Sequence, residues 1–140
     1  MNRLLFWLCV ALWLAVLIWG ITICYFSSLT GPQIESMLSV PLWDKLSHFL
    51  AYAAGGALLA AALNCSRAWS PVKLVLVSAI ALSVFGALDE WHQLYTPLRQ
   101  GADKWDWLAD TLGAIAGSLL FTLFYARRNS RQDSPATTGD

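Results

Sequence analysis

The sequence predicts an all-α membrane protein, four transmembrane helices in a bundle with both termini cytoplasmic. Of 140 residues, 57% are hydrophobic and only 13% charged, where a soluble domain carries about a quarter charged residues. Four apolar runs approach or exceed the roughly 20 residues that cross a bilayer as a helix. Trp43, Trp69, Trp91, Trp105 and Trp107 fall at the ends of those runs, where tryptophan favours the membrane–water boundary. Mean hydropathy is +0.53. The formal net charge is zero, so no electrostatic footprint for nucleic acid exists.

The first run, Leu4 to Phe26, follows Arg3. It is longer than the apolar core of about 7–15 residues in a cleavable signal, so residues 1–26 are expected to be an uncleaved signal anchor. Residues 27–43 form a linker, the expected outer loop, punctuated by Gly31, Pro32 and Pro41. Within it, Gln33 to Val40 fits either a short interfacial helix, with Ile34, Met37 and Leu38 on one side, or an irregular loop. The second span covers Asp44 to Leu63, with Asp44 suited to the positive end of the helix dipole. Arg67, Pro71 and Lys73 mark a polar turn. The third span runs from Leu74 to about Tyr95, and the fourth from Trp105 or Asp106 to about Ala126. Residues 44–126 make a three-helix core, and 127–140 a tail expected to be disordered and cytoplasmic.

Four crossings put Arg3, Arg67, Lys73, Arg127, Arg128 and Arg131 on one side, against Lys45, Arg99 and Lys104 on the other. Short loops rich in Lys and Arg stay in the cytoplasm. The stretch from Asp89 to Gly117, which holds five of the nine carboxylates, then meets Asp44 to Tyr52 at the outer face.

Helical arithmetic indicates which faces meet. At 100° per residue, Asp106, Asp110, Gly113 and Gly117 share a stripe about 60° wide. Glycines at that spacing let helix backbones approach closely in lipid. On the third span Ala79, Ser83, Gly86, Glu90 and Gln93 lie within roughly 80° of one another, and on the second Lys45, His48 and Tyr52 within about 60°. Each helix carries a small-residue seam crowned by polar groups at the same end. A bundle built on these seams has an outward-facing polar pocket at its mouth.

Lys45, His48, Tyr52, Glu90, Gln93, Arg99, Asp106 and Asp110 are the candidate ligand-binding residues. Arg99 sits in a Thr-Pro-Leu-Arg-Gln-Gly loop, and its planar guanidinium suits phosphate or carboxylate, or a lipid headgroup met by snorkelling. His48 is either a helix-interface histidine or an acid–base group. Glu90 and His48 are the catalytic candidates. Asp89 points about 100° from Glu90 and reads as boundary charge. His92 lies about 200° from Glu90 and cannot share its centre. A metal site from His48, Glu90, Asp106 and Asp110 is chemically possible, but no ligand spacing of a known site appears, so no metal or other cofactor is assigned. Cys9 and Cys24 are roughly 22 Å apart along one helix, beyond disulfide reach. With Cys65 in a polar connection, all three cysteines read as small apolar fillers.

Two ordered blocks resemble the VanZ-like family of small bacterial integral membrane proteins. The first is Asp44-Lys45-x-x-His48-Phe49-x-x-Tyr52. The second is Glu90-x-x-Gln93-x-x-x-Pro97-x-Arg99, followed by Asp106-x-x-x-Asp110-Thr111-Leu112-Gly113-x-x-x-Gly117. The resemblance spans residues 44–117, leaving the first helix outside. Asp110 stands where members often carry Asn, and Leu98 where they often carry Gly. The resemblance implies a multi-pass protein of the bacterial cytoplasmic (inner) membrane. The family is named for association with teicoplanin resistance, so a link to the envelope and to glycopeptide-antibiotic response is implied, without a molecular activity.

Three roles fit this reading. The first is binding of an anionic or polar envelope component, such as a lipid headgroup or precursor, with Arg99 and Lys45 meeting the anion. The second is a membrane-embedded hydrolase or transferase on an envelope lipid. The third is a structural bundle that docks a protein partner. The expected partners are membrane lipids, and nucleic acid is not among them.

Overall fold

The computed structural model describes residues 2–37 and 41–132. Its elements are α1 (Arg3–Ser27), α2 (Gly31–Met37), α3 (Pro41–Ser66), α4 (Pro71–Gln93) and α5 (Lys104–Gln132). There is no strand among the described residues. Four of the helices, all but α2, are long and apolar enough to cross a membrane.

The helix boundaries follow local chemistry. Asn2 caps α1 through its side chain, which accepts from the Leu4 backbone N–H. Pro71 opens α4 in its first turn, where a missing N–H costs nothing and the fixed φ is already helical. The same preference explains why α3 begins at Pro41, leaving Asp44 in the first turn. The short helix is Gly31–Met37, one of the two forms the linker allows. Leu38 and Val40, the Trp43 side chain and residues 133–140 lie outside the described residues.

Beyond Ala126 the expected tail is corrected in part. Helix α5 runs on to Gln132, and Ser130 Oγ donates to Ala126 O at 3.0 Å. The chain from Ala126 to Gln132 holds neither Gly nor Pro, and its arginines are good helix formers.

Helix α3 is the hub, and its closest neighbour is α5. The two meet through backbone rather than side chains: Gly113 and Gly117 lie against Phe49 and Ala53, and Gly56 lies against Ala114. Buried Tyr52, Leu59, Leu82 and Ala114 form the apolar core. Helix α1 docks on the rim of this core through two tryptophans that its apolar pattern does not single out. Trp13 Nε1 donates to Ser66 Oγ, and Trp19 Nε1 donates to Ala51 O, both at 2.8 Å. Trp19 meets Tyr52 edge-on at 5.4 Å between centroids, in a gap kept open by Gly55. Most other large side chains of α1 point outward, as expected for a helix that faces lipid.

The reading of the cysteines as unpaired fillers is corrected. Cys9 and Cys65 form a disulfide with Cα atoms 5.5 Å apart, and only Cys24 is free. Antiparallel packing of α1 on α3 brings the start of one helix beside the end of the other, a proximity that linear spacing does not reveal.

Candidate functional site

The C-terminal end of α4, the N-terminal turns of α3 and α5, and the loop 94–103 converge at one end of the bundle. The loop folds back over α4: Thr96 N–H donates to Gln93 O, Ala102 N–H to Glu90 O, and Asp103 N–H to Glu90 Oε2 at 2.8 Å. It also docks on the α1–α2 junction, where Thr96 Oγ1 donates to Ser27 O and Gly31 N–H to Pro97 O. Arg99 is thereby held over the gap between α1, α2, α3 and α4.

The polar groups fall into three sets. At the outermost level, Lys45 Nζ meets Asp44 at 3.2 Å, Asp103 at 2.8 Å, and Asp106. The ammonium beside Asp103 holds that carboxyl below its usual range. One turn deeper, His48 Nδ1 lies 2.9 Å from Asp110 Oδ1. Glu90 stands beside this pair with Oε1 buried and unpartnered, as is Asp110 Oδ2. The third set is a relay on α4 and its loop. Asp89 Oδ2 accepts from Gln93 Nε2 at 3.0 Å, and Gln93 Oε1 accepts from Arg99 Nη2 at 2.7 Å.

The relay borders a cavity of about 310 Å³. Ile23, Phe26, Ile34, Met37 and Ala51 give it apolar walls, and Asp44, Ser47, His48, Tyr52, Asp89, Gln93 and Arg99 give it polar groups. Arg99 Nη1, Tyr52 Oη and Ser27 Oγ are buried there without a hydrogen-bond partner. Among the described residues, no carboxylate forms an ion pair with Arg99. Gln93 stands between Arg99 and Asp89 and passes on a hydrogen bond without neutralising the cation.

His48, Tyr52, Gln93 and Arg99 therefore lie on the cavity, whereas Lys45, Glu90, Asp106 and Asp110 lie in the acidic cluster beside it. Asp89 is not the boundary charge that its angle from Glu90 suggests. It is 8% exposed and faces inward, because its i,i+4 bond to Gln93 carries it onto the same face. The sequence contains that spacing. The walls from α1 and α2 carry no comparable signal.

Residues 4–125 match the family model described as VanZ/LLP1. The chain belongs to the VanZ/LLP1 family. The match takes in α1 as well as the polar blocks, so family membership reaches beyond residues 44–117. This is a VanZ-like membrane protein. No curated protein matches the chain, and no solved structure matches it either.

Proposed function

We propose that this VanZ-like protein binds an anionic or polar cell-envelope component, a lipid headgroup with part of its chain, in the cavity beneath Arg99. The proposal places it as a multi-pass protein of the bacterial inner membrane, with both termini cytoplasmic and the cavity at the outer face. The observation that carries it is the half-buried Arg99 guanidinium, whose Nη1 has no partner and which no carboxylate neutralises. A buried charge without a counter-charge is costly, and an anion in the cavity offsets that cost with charge-assisted hydrogen bonds. Apolar walls beside the cation suit a molecule that is part head and part chain. Lys45, already held by three carboxylates, serves to join α3 to α5 rather than to meet the anion. The envelope link implied by family membership is consistent with such a ligand.

Native mass spectrometry of the purified protein tests this reading. Wild type is expected to retain a discrete anionic lipid or precursor that Arg99→Ala loses while staying folded. Loss of a charged hydrogen bond of about 1.5–3 kcal/mol corresponds to roughly 10- to 150-fold weaker binding. Equal retention by both proteins would sink the proposal.

One observation favours a second reading, an enzyme acting on that same lipid. His48 lines the cavity with Asp110 behind it, the arrangement by which a carboxylate orients a general base. Turnover of the retained lipid, abolished in His48→Gln while binding persists, separates catalysis from binding.

A further inference from the structure

Three helices each deliver one chemically suitable atom to a single spot. His48 of α3, Glu90 of α4 and Asp110 of α5 hold an imidazole nitrogen and two carboxylate oxygens within 4.8 Å of one another. Glu90 is 3% exposed and Asp110 0%, so neither carboxylate is solvated. Each still keeps one buried oxygen, Glu90 Oε1 and Asp110 Oδ2, to which nothing donates. Buried acceptors of this kind are expected to have partners, and a cation between the two oxygens is a partner that serves both.

The neighbouring helix is shaped to admit the Asp110 carboxylate. Gly86 of α4 lies directly against it, and a Cβ there would stand 2.9 Å from Asp110 Oδ2 and 3.2 Å from Asp110 Cβ. Any side chain at position 86 would have to push the carboxylate aside.

An overlapping set, Asp44, His48 and Asp106, also comes within ligand range. There the positive charge is already supplied, because Lys45 Nζ pairs with both Asp44 and Asp106. No lysine or arginine forms an ion pair with Glu90 or Asp110 among the described residues. In the deeper set the only basic group facing the two carboxyls, among the described residues, is the His48 imidazole, which meets Asp110 Oδ1 and leaves Glu90 Oε1 and Asp110 Oδ2 without a donor.

We infer that His48, Glu90 and Asp110 form a binding site for a first-row divalent metal ion of the zinc or manganese kind. One imidazole and two carboxylates is a mixed donor set, which such ions accept, whereas calcium and magnesium take oxygen alone. Ligand atoms about 2.0–2.2 Å from zinc stand roughly 3.4 Å apart in a tetrahedron, a spacing the three side chains reach by small adjustments around the ion. The remaining positions are open to water or to a group from the adjoining cavity, which His48 also lines. The site does not depend on Arg99 and stands apart from the anion-binding proposal.

The test uses the full chain in detergent, stripped with a chelator, reloaded with Zn²⁺ or Mn²⁺ and passed through a sizing column before metal analysis. Wild type is expected to retain one equivalent. Glu90→Gln and Asp110→Asn should bind at least tenfold more weakly, while His92→Gln, a change at an exposed histidine of the same helix end, leaves binding intact. Where a carboxylate variant fails to fold, Co²⁺-loaded wild type gives the second readout, an intense visible spectrum of low coordination number with an imidazole ligand. No retained metal in wild type, equal retention in all variants, or a weak octahedral cobalt spectrum like that of the aqueous ion would each overturn the inference.

Discussion

Leu98 occupies the left-handed backbone region at φ 58°, with its side chain 82% exposed. A side chain there strains against its own backbone by roughly 1–2 kcal/mol, and only glycine escapes this. Since Leu98 contributes no burial in return, Leu98→Gly is expected to stabilise the protein by about 0.5–1 kcal/mol, after the extra freedom glycine gives the unfolded chain. Thermal unfolding in detergent reads this directly, with Leu98→Val moving the midpoint the opposite way. The loop that carries Arg99 thus holds backbone strain at Leu98. At this scale the polar register on each helix is legible in the sequence, because i,i+4 neighbours on one helix share a face. The unpartnered oxygens of Glu90 and Asp110 are not legible there, since they depend on how three separate helices approach.

At the scale of elements, α3 and α5 meet where glycine leaves backbone exposed to backbone. A Cβ at Gly117 would collide with the Ala53 carbonyl, whereas one at Gly20 of α1 has open space around it. Gly117→Ala is therefore expected to cost about 1–3 kcal/mol as the helices are forced apart. Gly20→Ala should be neutral or gain up to about 1 kcal/mol from helix propensity. Denaturant titration of the two variants side by side checks the contrast, and equal effects would remove the argument. The Gly-x-x-x-Gly stripe makes this contact legible in the sequence, because small residues aligned on one face let two helix backbones close up in lipid. The helix ends are less legible: α5 outlasts its apolar run because nothing in Arg127–Gln132 breaks it.

Across the whole molecule, the acidic crown sits at one end of the bundle and the Cys9–Cys65 bond towards the other. The bond spans a separation of 56 residues, worth up to about 4 kcal/mol in the chain-entropy picture. A reductant is expected to lower the unfolding midpoint of wild type and of Cys24→Ser, but not of Cys9→Ser. An unresponsive wild type would show that the bond contributes nothing. The proposed orientation puts this end in the cytoplasm, where thiols are kept reduced; Cys9 is buried there and Cys65 is partly exposed. The order of the helices and their apolar faces can be read from the residues alone. The pairing of α1 with α3 cannot, and both the disulfide and one wall of the cavity depend on it.

That pairing makes α1 a beam with uneven supports. Cys9, Trp13 and Trp19 fasten its first two-thirds to α3. The remaining eight residues, Gly20–Ser27, extend roughly 12 Å past the last hydrogen bond to α3, with Ile23 still packed against the core. Ile23, Phe26 and Ser27 on this overhang wall the cavity, and its tip is latched to the loop by one hydrogen bond of 3.3 Å, from Thr96 Oγ1 to Ser27 O. On the proposed reading, a guest that keeps its chain in the bilayer reaches this wall by a search in two dimensions, with its supply counted per lipid, not per litre.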